Sequence, residues 1–265
     1  MNYRSYCIAL LLVLAIYVSP ALAGQPNSIL VAAASSMKFA FDEMVPAFNR
    51  THPGIKVYVS FGSSGNFYAQ ISNGAPFDIF FSADMDYPIQ LQNAGRGLPG
   101  ESTTHYATGK IVLWTPNRIQ ANVDDKKFKI LLDPRIKKIS IANPKHAPYG
   151  KAAVQALNHF GIFDAVQNKL IRGENITQAA QFVHTGAAGA GIIALSLAKS
   201  KIMQSSGNYW KIPQAKYTPL NQGYLLLKNG KNPTIARDFA DFVSGPEGIQ
   251  ILKRYGFDPG VKENP

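Results

Sequence analysis

Short apolar runs alternate along this chain with amphipathic stretches. Ser28 to Ala34 is an apolar run of strand length, and Met37, Phe41, Met44, Val45 and Phe48 then recur at the spacing of a single helix face. Pro46 falls inside that pattern, where its missing N–H predicts a kink or an early end. The alternation repeats with a strand from Ile55 to Phe61, a helix from Ser64 to Ser72 closed by Gly74, and a strand from Phe77 to Ser82. Asp84 caps a further helix ending near Gly95, and Lys110 to Thr115 begins the next strand. Lys138 to Ala142 reads as a strand, Tyr149 to Phe160 and Ile176 to His184 as helices, and Gly191 to Leu195 and Tyr224 to Lys228 as strands. Two helices close the chain. Asn232-Pro233 opens one with Ile235, Phe239, Phe242 and Val243 on its apolar face, and Gly245-Pro246 restarts the backbone into Ile249, Leu252 and Tyr255. Such alternation predicts an α/β fold of mostly parallel sheets flanked by helices. In these sheets ligands sit beyond the strand ends, where loops lead into helix N-termini.

Two helix starts carry serines. Ala32-Ala33-Ala34-Ser35-Ser36 and Gly62-Ser63-Ser64-Gly65 each place hydroxyls beside unpaired backbone N–H groups, where the helix dipole also favours an anion. One such start is explained by serine being a good N-cap; two of them, with two later helix starts that lack serine, form an anion cradle.

Catalytic motifs fail at defined positions. Gly62-Ser63-Ser64-Gly65-Asn66 lacks the last glycine of a nucleophile elbow. Gly150-Lys151 lacks both the first glycine of a P-loop, where Lys145 stands, and its Ser or Thr, where Ala152 stands. Gly186 to Gly191 precedes its strand and reads as a turn. His52, His105, His146, His159 and His184 show no metal-ligand spacing, and capping explains Asp84 and Asp86.

The first 23 residues read as a secretory leader. Arg4 is the positive end, Ile8 to Val18 the apolar core, and Ala21-Leu22-Ala23 the small residues before cleavage after Ala23. The apolar run is shorter than the roughly 20 residues of a membrane span. The single cysteine, Cys7, lies inside this leader, so the mature chain has no disulfide, which suits the bacterial periplasm. The net charge of +11 falls only to +10 on losing Arg4. Its densest runs, Lys126 to Lys129 and Arg135 to Lys138, lack an interleaved aromatic platform and read as solvated faces with no nucleic-acid partner. A positive field still raises the encounter rate of an anion.

Taken in order, several segments resemble one family over essentially the whole mature chain. They are Ala32-Ala33-Ala34-Ser35, Phe61 to Gly65 followed by Gln70-Ile71, Gly74 to Asp84, Asn143 to Gly150, Gly191 to Ser196, Gly245 to Gly248 and Arg254 to Phe257. In these the chain resembles the periplasmic molybdate-binding proteins, the ModA family of ABC importers. The resemblance implies a two-lobed periplasmic binding protein fold with an oxyanion in the cleft between the lobes. Lobe 1 would take residues 24–106 and 222–265, and lobe 2 residues 107–221. It implies capture of molybdate or tungstate for a permease and ATPase, by a protein that is not an enzyme, is a monomer and needs no cofactor. Ser35 and Ser64 would each supply a hydroxyl and a backbone N–H, Tyr149 and Ile176 backbone N–H groups, and Ser36 a further contact. Molybdenum or tungsten would be held only as its oxyanion, with no protein atom bound to the metal. Some family members place a ligand-binding tyrosine where this chain has Ala194; if that position lies beside the anion, tyrosine there would restore a donor.

A doubly charged tetrahedral oxyanion needs many inward donors, each hydrogen bond to it worth about 1.5–3 kcal/mol. Neutral donors also penalise hydrogen phosphate, whose O–H needs an acceptor. Sulfate differs mainly in size. An alternative therefore keeps the fold and binds sulfate, thiosulfate or another oxyanion. A secreted hydrolase using Ser64 is disfavoured, because no motif places a base.

Overall fold

A computed structural model describes residues 27–119 and 123–260. The leader and its cleavage position lie outside the described residues. The chain first forms β1 (Ser28–Ala34), α1 (Lys38–Thr51), β2 (Lys56–Gly62), α2 (Ser64–Ser72), β3 (Ile79–Phe81), α3 (Asp86–Asn93) and β4 (Thr104–Gly109). It then crosses into β5 (Ile111–Pro116), α4 (Val123–Lys126), β6 (Ile139–Ala142), α5 (Pro148–His159), α6 (Phe163–Val166), β7 (Leu170–Gly173), α7 (Ile176–Thr185), β8 (Ala190–Ala194), α8 (Leu195–Ala198), α9 (Lys201–Ser206) and β9 (Gly207–Lys211). It returns as β10 (Leu220–Leu226), α10 (Pro233–Ser244), α11 (Pro246–Arg254) and β11 (Asp258–Pro259).

Two sheets result. The first has the order β11-β4-β10-β3-β1-β2 and the second β7-β6-β8-β5-β9. They are mixed rather than mostly parallel. Pairing is parallel for β1 with β2 and β3 and for β6 with β7 and β8, whereas β5, β9, β10, β4 and β11 pair antiparallel. The antiparallel strands include those beside the crossings: one strand ends the first sheet and the next starts the second within two residues, at Gly109 and Ile111.

Each sheet has its own apolar core. Against the first pack α1, α10 and α11, where Phe41 meets Phe81 and Phe239 edge to face at centroid distances of 5.1 and 5.6 Å. Trp114, Ile141, Leu157 and Ile192 centre the second. The acid of the Gly74 to Asp84 motif has a structural use: buried Asp78 accepts from the N–H groups of Leu30, Lys231 and Asn232 at 2.7, 2.6 and 2.8 Å. Three charge-assisted bonds offset the cost of burying that side chain.

Pro46 neither ends α1 nor stops it early, since the helix runs on to Thr51. Its ring is exposed, and Met44, Ala47 and Phe48 on the opposite side are buried, so apolar packing either side of the proline holds the helix together. The polar sequence of β4 and of the first residues of β10 hid both from the hydrophobic pattern; pairing with each other makes them strands. Pro46→Ala is expected to raise unfolding free energy by about 1–3 kcal/mol in a urea titration, because a helix-interior proline on an exposed face forfeits a backbone bond. A loss of stability would mean that the packing of α1 depends on the proline.

Candidate functional site

The C-terminal ends of β1, β2, β6 and β7 point at one another across the gap between the sheets, and a short helix start follows each. Parallel register puts Ala34 opposite Gly62, so Ser35 and Ser63 leave the first sheet side by side. From the second sheet, the loop after β6 delivers Tyr149 in the first turn of α5, behind Pro148 at the first helical position. The loop after β7 delivers Ile176 at the start of α7, capped by Asn175, which accepts from Gln178 N–H at 3.0 Å. All five expected residues, Ser35, Ser36, Ser64, Tyr149 and Ile176, line one cavity, joined by Gly62, Ser63, Ala83, Ala147 and others.

The cavity is small and uncharged. Its space, counted out to where it meets solvent, is about 190 Å³, and no lining residue carries a formal charge. Sugar- or nucleotide-sized ligands need roughly 300–1,000 Å³. In the first turns of α2, α5 and α7 the N–H groups of Ser64, Tyr149 and Ile176 have no intrahelical acceptor. Ser64 Oγ accepts from Ala83 N–H at 2.9 Å, which leaves its proton to donate. Ser36 Oγ is shielded from solvent without a well-formed hydrogen bond, although it lies near enough to the Tyr149 hydroxyl to lower that group's pKa against the stronger upward push of burial. An unpaired buried hydroxyl on a cavity wall costs free energy unless something in the cavity completes it.

The two sides of the cleft are tied directly. Ser35 Oγ donates to Asn175 Oδ1 at 3.2 Å and accepts from Thr177 N–H at 3.3 Å, while Thr177 Oγ1 donates to Ser35 O at 2.9 Å. Ser196 Oγ donates to Ser36 O at 2.7 Å. Farther out, Gly65 N–H donates to His146 O at 2.9 Å, and Ser63 Oγ pairs with His146 Nδ1 at 2.8 Å. No local pattern signals this role for His146, because its partner is 83 residues away. Glu174 Oε2 lies 3.5 Å from His146 Nε2, so serine, histidine and carboxylate stand in a row. Here the histidine joins two walls of the cleft, and its serine is not the Ser64 of the near-elbow.

Ala194 does not line the cavity. It is fully buried at the end of β8, paired with Ile111. Tyr149 and Ala194 belong to the same apolar core, and the tyrosine hydroxyl points to Gln222.

Residues 29–258 match the family model described as bacterial extracellular solute-binding protein. The chain is 39% identical to the molybdate-binding protein ModA of Azotobacter vinelandii over 237 residues, covering 89% of this chain and 92% of that one. It is 37% identical to ModA of Rhodobacter capsulatus over 254 residues, 96% of each. The solved Azotobacter vinelandii periplasmic molybdate-binding protein superposes with a TM-score of 0.79 at 34% identity, covering 87% of this chain and 98% of that one. Fold and cleft thus define a solute-binding protein rather than an enzyme. Within that class, the chain belongs to the ModA family.

Two outcomes test this geometry. A Cβ on Gly65 would come within 2.7 Å of both His146 O and the Tyr87 hydroxyl. Gly65→Ala is therefore expected to favour α2 locally by about 0.5–1 kcal/mol yet hold the cleft ajar, lowering ligand affinity with little change in melting temperature. Unaltered affinity in calorimetry would show that closure does not need this approach. Ala194→Tyr, a large side chain in a filled core, is expected to cost about 1–3 kcal/mol in chemical denaturation. Tighter oxyanion binding at unchanged stability would return that position to the ligand.

Proposed function

We propose that this protein captures molybdate, and tungstate by the same contacts, and delivers it to the permease and ATPase of an ABC importer. One observation carries the reading: a small, uncharged cavity on which serine hydroxyls beside the first sheet and helix N-termini from both sheets converge, with the Ser36 hydroxyl left to be completed. Ser35, Ser36, Ser64, Tyr149 and Ile176 are the proposed ligand contacts. Four first-turn or loop N–H groups, of Ser35, Ser64, Tyr149 and Ile176, with the hydroxyls of Ser36 and Ser64 outnumber the four oxygens of a tetrahedral ion; the Ser35 hydroxyl proton, expected from the sequence to join them, is held by Asn175 Oδ1. At about 1.5–3 kcal/mol per charge-assisted bond they offset a dianion's dehydration without a neighbouring cation. The names of the relatives support molybdate as that ion.

The division into lobes of residues 24–106 with 222–265, and 107–221, belongs to this reading; sheet membership supports two lobes but moves the crossings to Lys110 and to the stretch between Lys211 and Leu220, since β4 and β10 lie wholly in the first sheet. A monomer, secreted to the periplasm and cleaved after Ala23, completes it. Charge supports it as well. Residues 107–221 hold 16 Lys and Arg against 5 Asp and Glu, so all of the mature chain's positive surplus lies in the second lobe, where its field draws an anion toward the cleft.

Calorimetric titration of the ligand-stripped protein with molybdate, tungstate, sulfate and phosphate tests the function. Molybdate and tungstate are expected to bind at least about tenfold tighter than sulfate, since one methyl-sized change in fit is worth about 1–3 kcal/mol. Sulfate binding tightest would transfer the protein to the alternative ligand. Ser64→Ala is expected to weaken molybdate about ten- to a hundredfold. It also strips Ala83 N–H of its acceptor, so a small fall in melting temperature accompanies the loss. Undiminished affinity would remove Ser64 from the site.

A further inference from the structure

Two hydroxyls from the second sheet's side of the cleft hold the backbone of the serine loop that follows β1. Thr177, in the first turn of α7, donates from Oγ1 to Ser35 O at 2.9 Å, and Ser196, on α8, donates from Oγ to Ser36 O at 2.7 Å. Serine and threonine on a helix commonly bond a carbonyl three or four residues back in their own chain. These two instead reach partners 142 and 160 residues away. Ser35, Ser36 and Ser196 are no more than 2% exposed, and Thr177 is half-buried, so water competes little for the two carbonyls. Thr177 engages Ser35 a second time, since its own N–H donates to Ser35 Oγ at 3.3 Å.

Both bonds run from one lobe to the other and join protein to protein. Any opening that separates the sheets breaks them. An anion arriving at an open cleft therefore does not feel them, whereas an anion leaving the closed cleft must wait until they break. The two are also independent of each other, because they start from different helices and end on different carbonyls. Ser35 O accepts from Lys38 N–H as well, so removing the Thr177 hydroxyl leaves that carbonyl with a partner. A change there reads the tie itself and not the cost of an orphaned acceptor.

We propose that Thr177 and Ser196 are positioning residues that set the release rate of the bound anion: by holding the successive carbonyls of Ser35 and Ser36 they latch the closed cleft without touching the ligand. The proposal rests on the anion-binding reading above and deepens it. Residues that meet the anion decide which ion is held; these two decide how long the closed form lasts. The latch lies beside the cavity on both walls, since Ser35, Ser36 and Ile176, the neighbour of Thr177, all line it.

Thr177→Val and Ser196→Ala, alone and together, test it. Release is followed as loss of radiolabelled molybdate into an excess of unlabelled molybdate, affinity by calorimetry, and the association rate follows from the two. Each single variant is expected to release molybdate about two- to tenfold faster, and the double variant by about the product of the two factors. Association rates are expected to stay within about twofold of the unaltered protein's. Molybdate and tungstate are expected to lose affinity by the same factor, because neither hydroxyl meets the anion. Thr177→Ser keeps the hydroxyl and is expected to restore slow release. A residue that merely props up α7 would lower the melting temperature with neither this split of rates nor this rescue. Unchanged release in the double variant, a loss carried by slower association, a shifted molybdate-to-tungstate ratio, or release from Thr177→Ser as fast as from Thr177→Val would each overturn the proposal. If Ser196→Ala does not fold, Thr177→Val and its serine rescue decide alone. Should the unaltered protein prefer sulfate, the proposed function falls, and the same release rates read with sulfate decide the inference; if it binds no oxyanion, both fall.

Discussion

A small uncharged cavity closed from two sides is the constraint on which the rest of this structure depends. Any anion that enters must exchange its water for fixed neutral donors, and those donors must come from more than one element because a single helix N-terminus offers only a few. The fold answers this by aiming the ends of β1, β2, β6 and β7 at one place. Short connections between these strand ends and the following helices leave the donors little freedom to wander. Preorganisation of this kind lowers the cost of ordering the site when a ligand arrives.

Closure is the second half of the same problem. The ties between Ser35 and Asn175 with Thr177, between Ser36 and Ser196, and between Gly65 with Ser63 and His146 all join residues far apart in sequence. Each neutral bond contributes about 0.5–1.5 kcal/mol net, so the set can balance the entropy of holding two lobes together without making the closed form irreversible. In the proposed function this balance matters, since a carrier must release what it captures. Serines serve two purposes at this boundary. Ser35 and Ser36 line the cavity and also bind the opposite wall, which couples the presence of a ligand to the position of the lobes.

Much of the fold was legible in the sequence because it rests on local periodicity. β1, α2 and the start of α7 lie where apolar spacing, serine starts and glycine stops put them. Pro46 misled because propensity is a local quantity and packing of Met44, Ala47 and Phe48 overrides it. β4 and β9 were missed for the opposite reason, since their sequences carry little alternation and become strands only through their neighbours. The antiparallel share of both sheets was missed too, because pairing direction depends on where the chain crosses between sheets and not on any residue pattern.

The sequence by itself determined which residues could serve an anion: hydroxyls and free N–H groups at helix starts are properties of a few consecutive residues, readable at Ser35, Ser64 and, through family likeness, at Tyr149 and Ile176. Only the tertiary structure decided what surrounds them. His146 as a tie between walls, Gln222 between two buried tyrosines, and the exclusion of Ala194 from the cavity each depend on groups brought together across tens to more than a hundred positions. Hydrogen-bond direction and cavity boundaries are relations between distant side chains. A local pattern can name the donors, but the space they enclose exists only once the two sheets face each other.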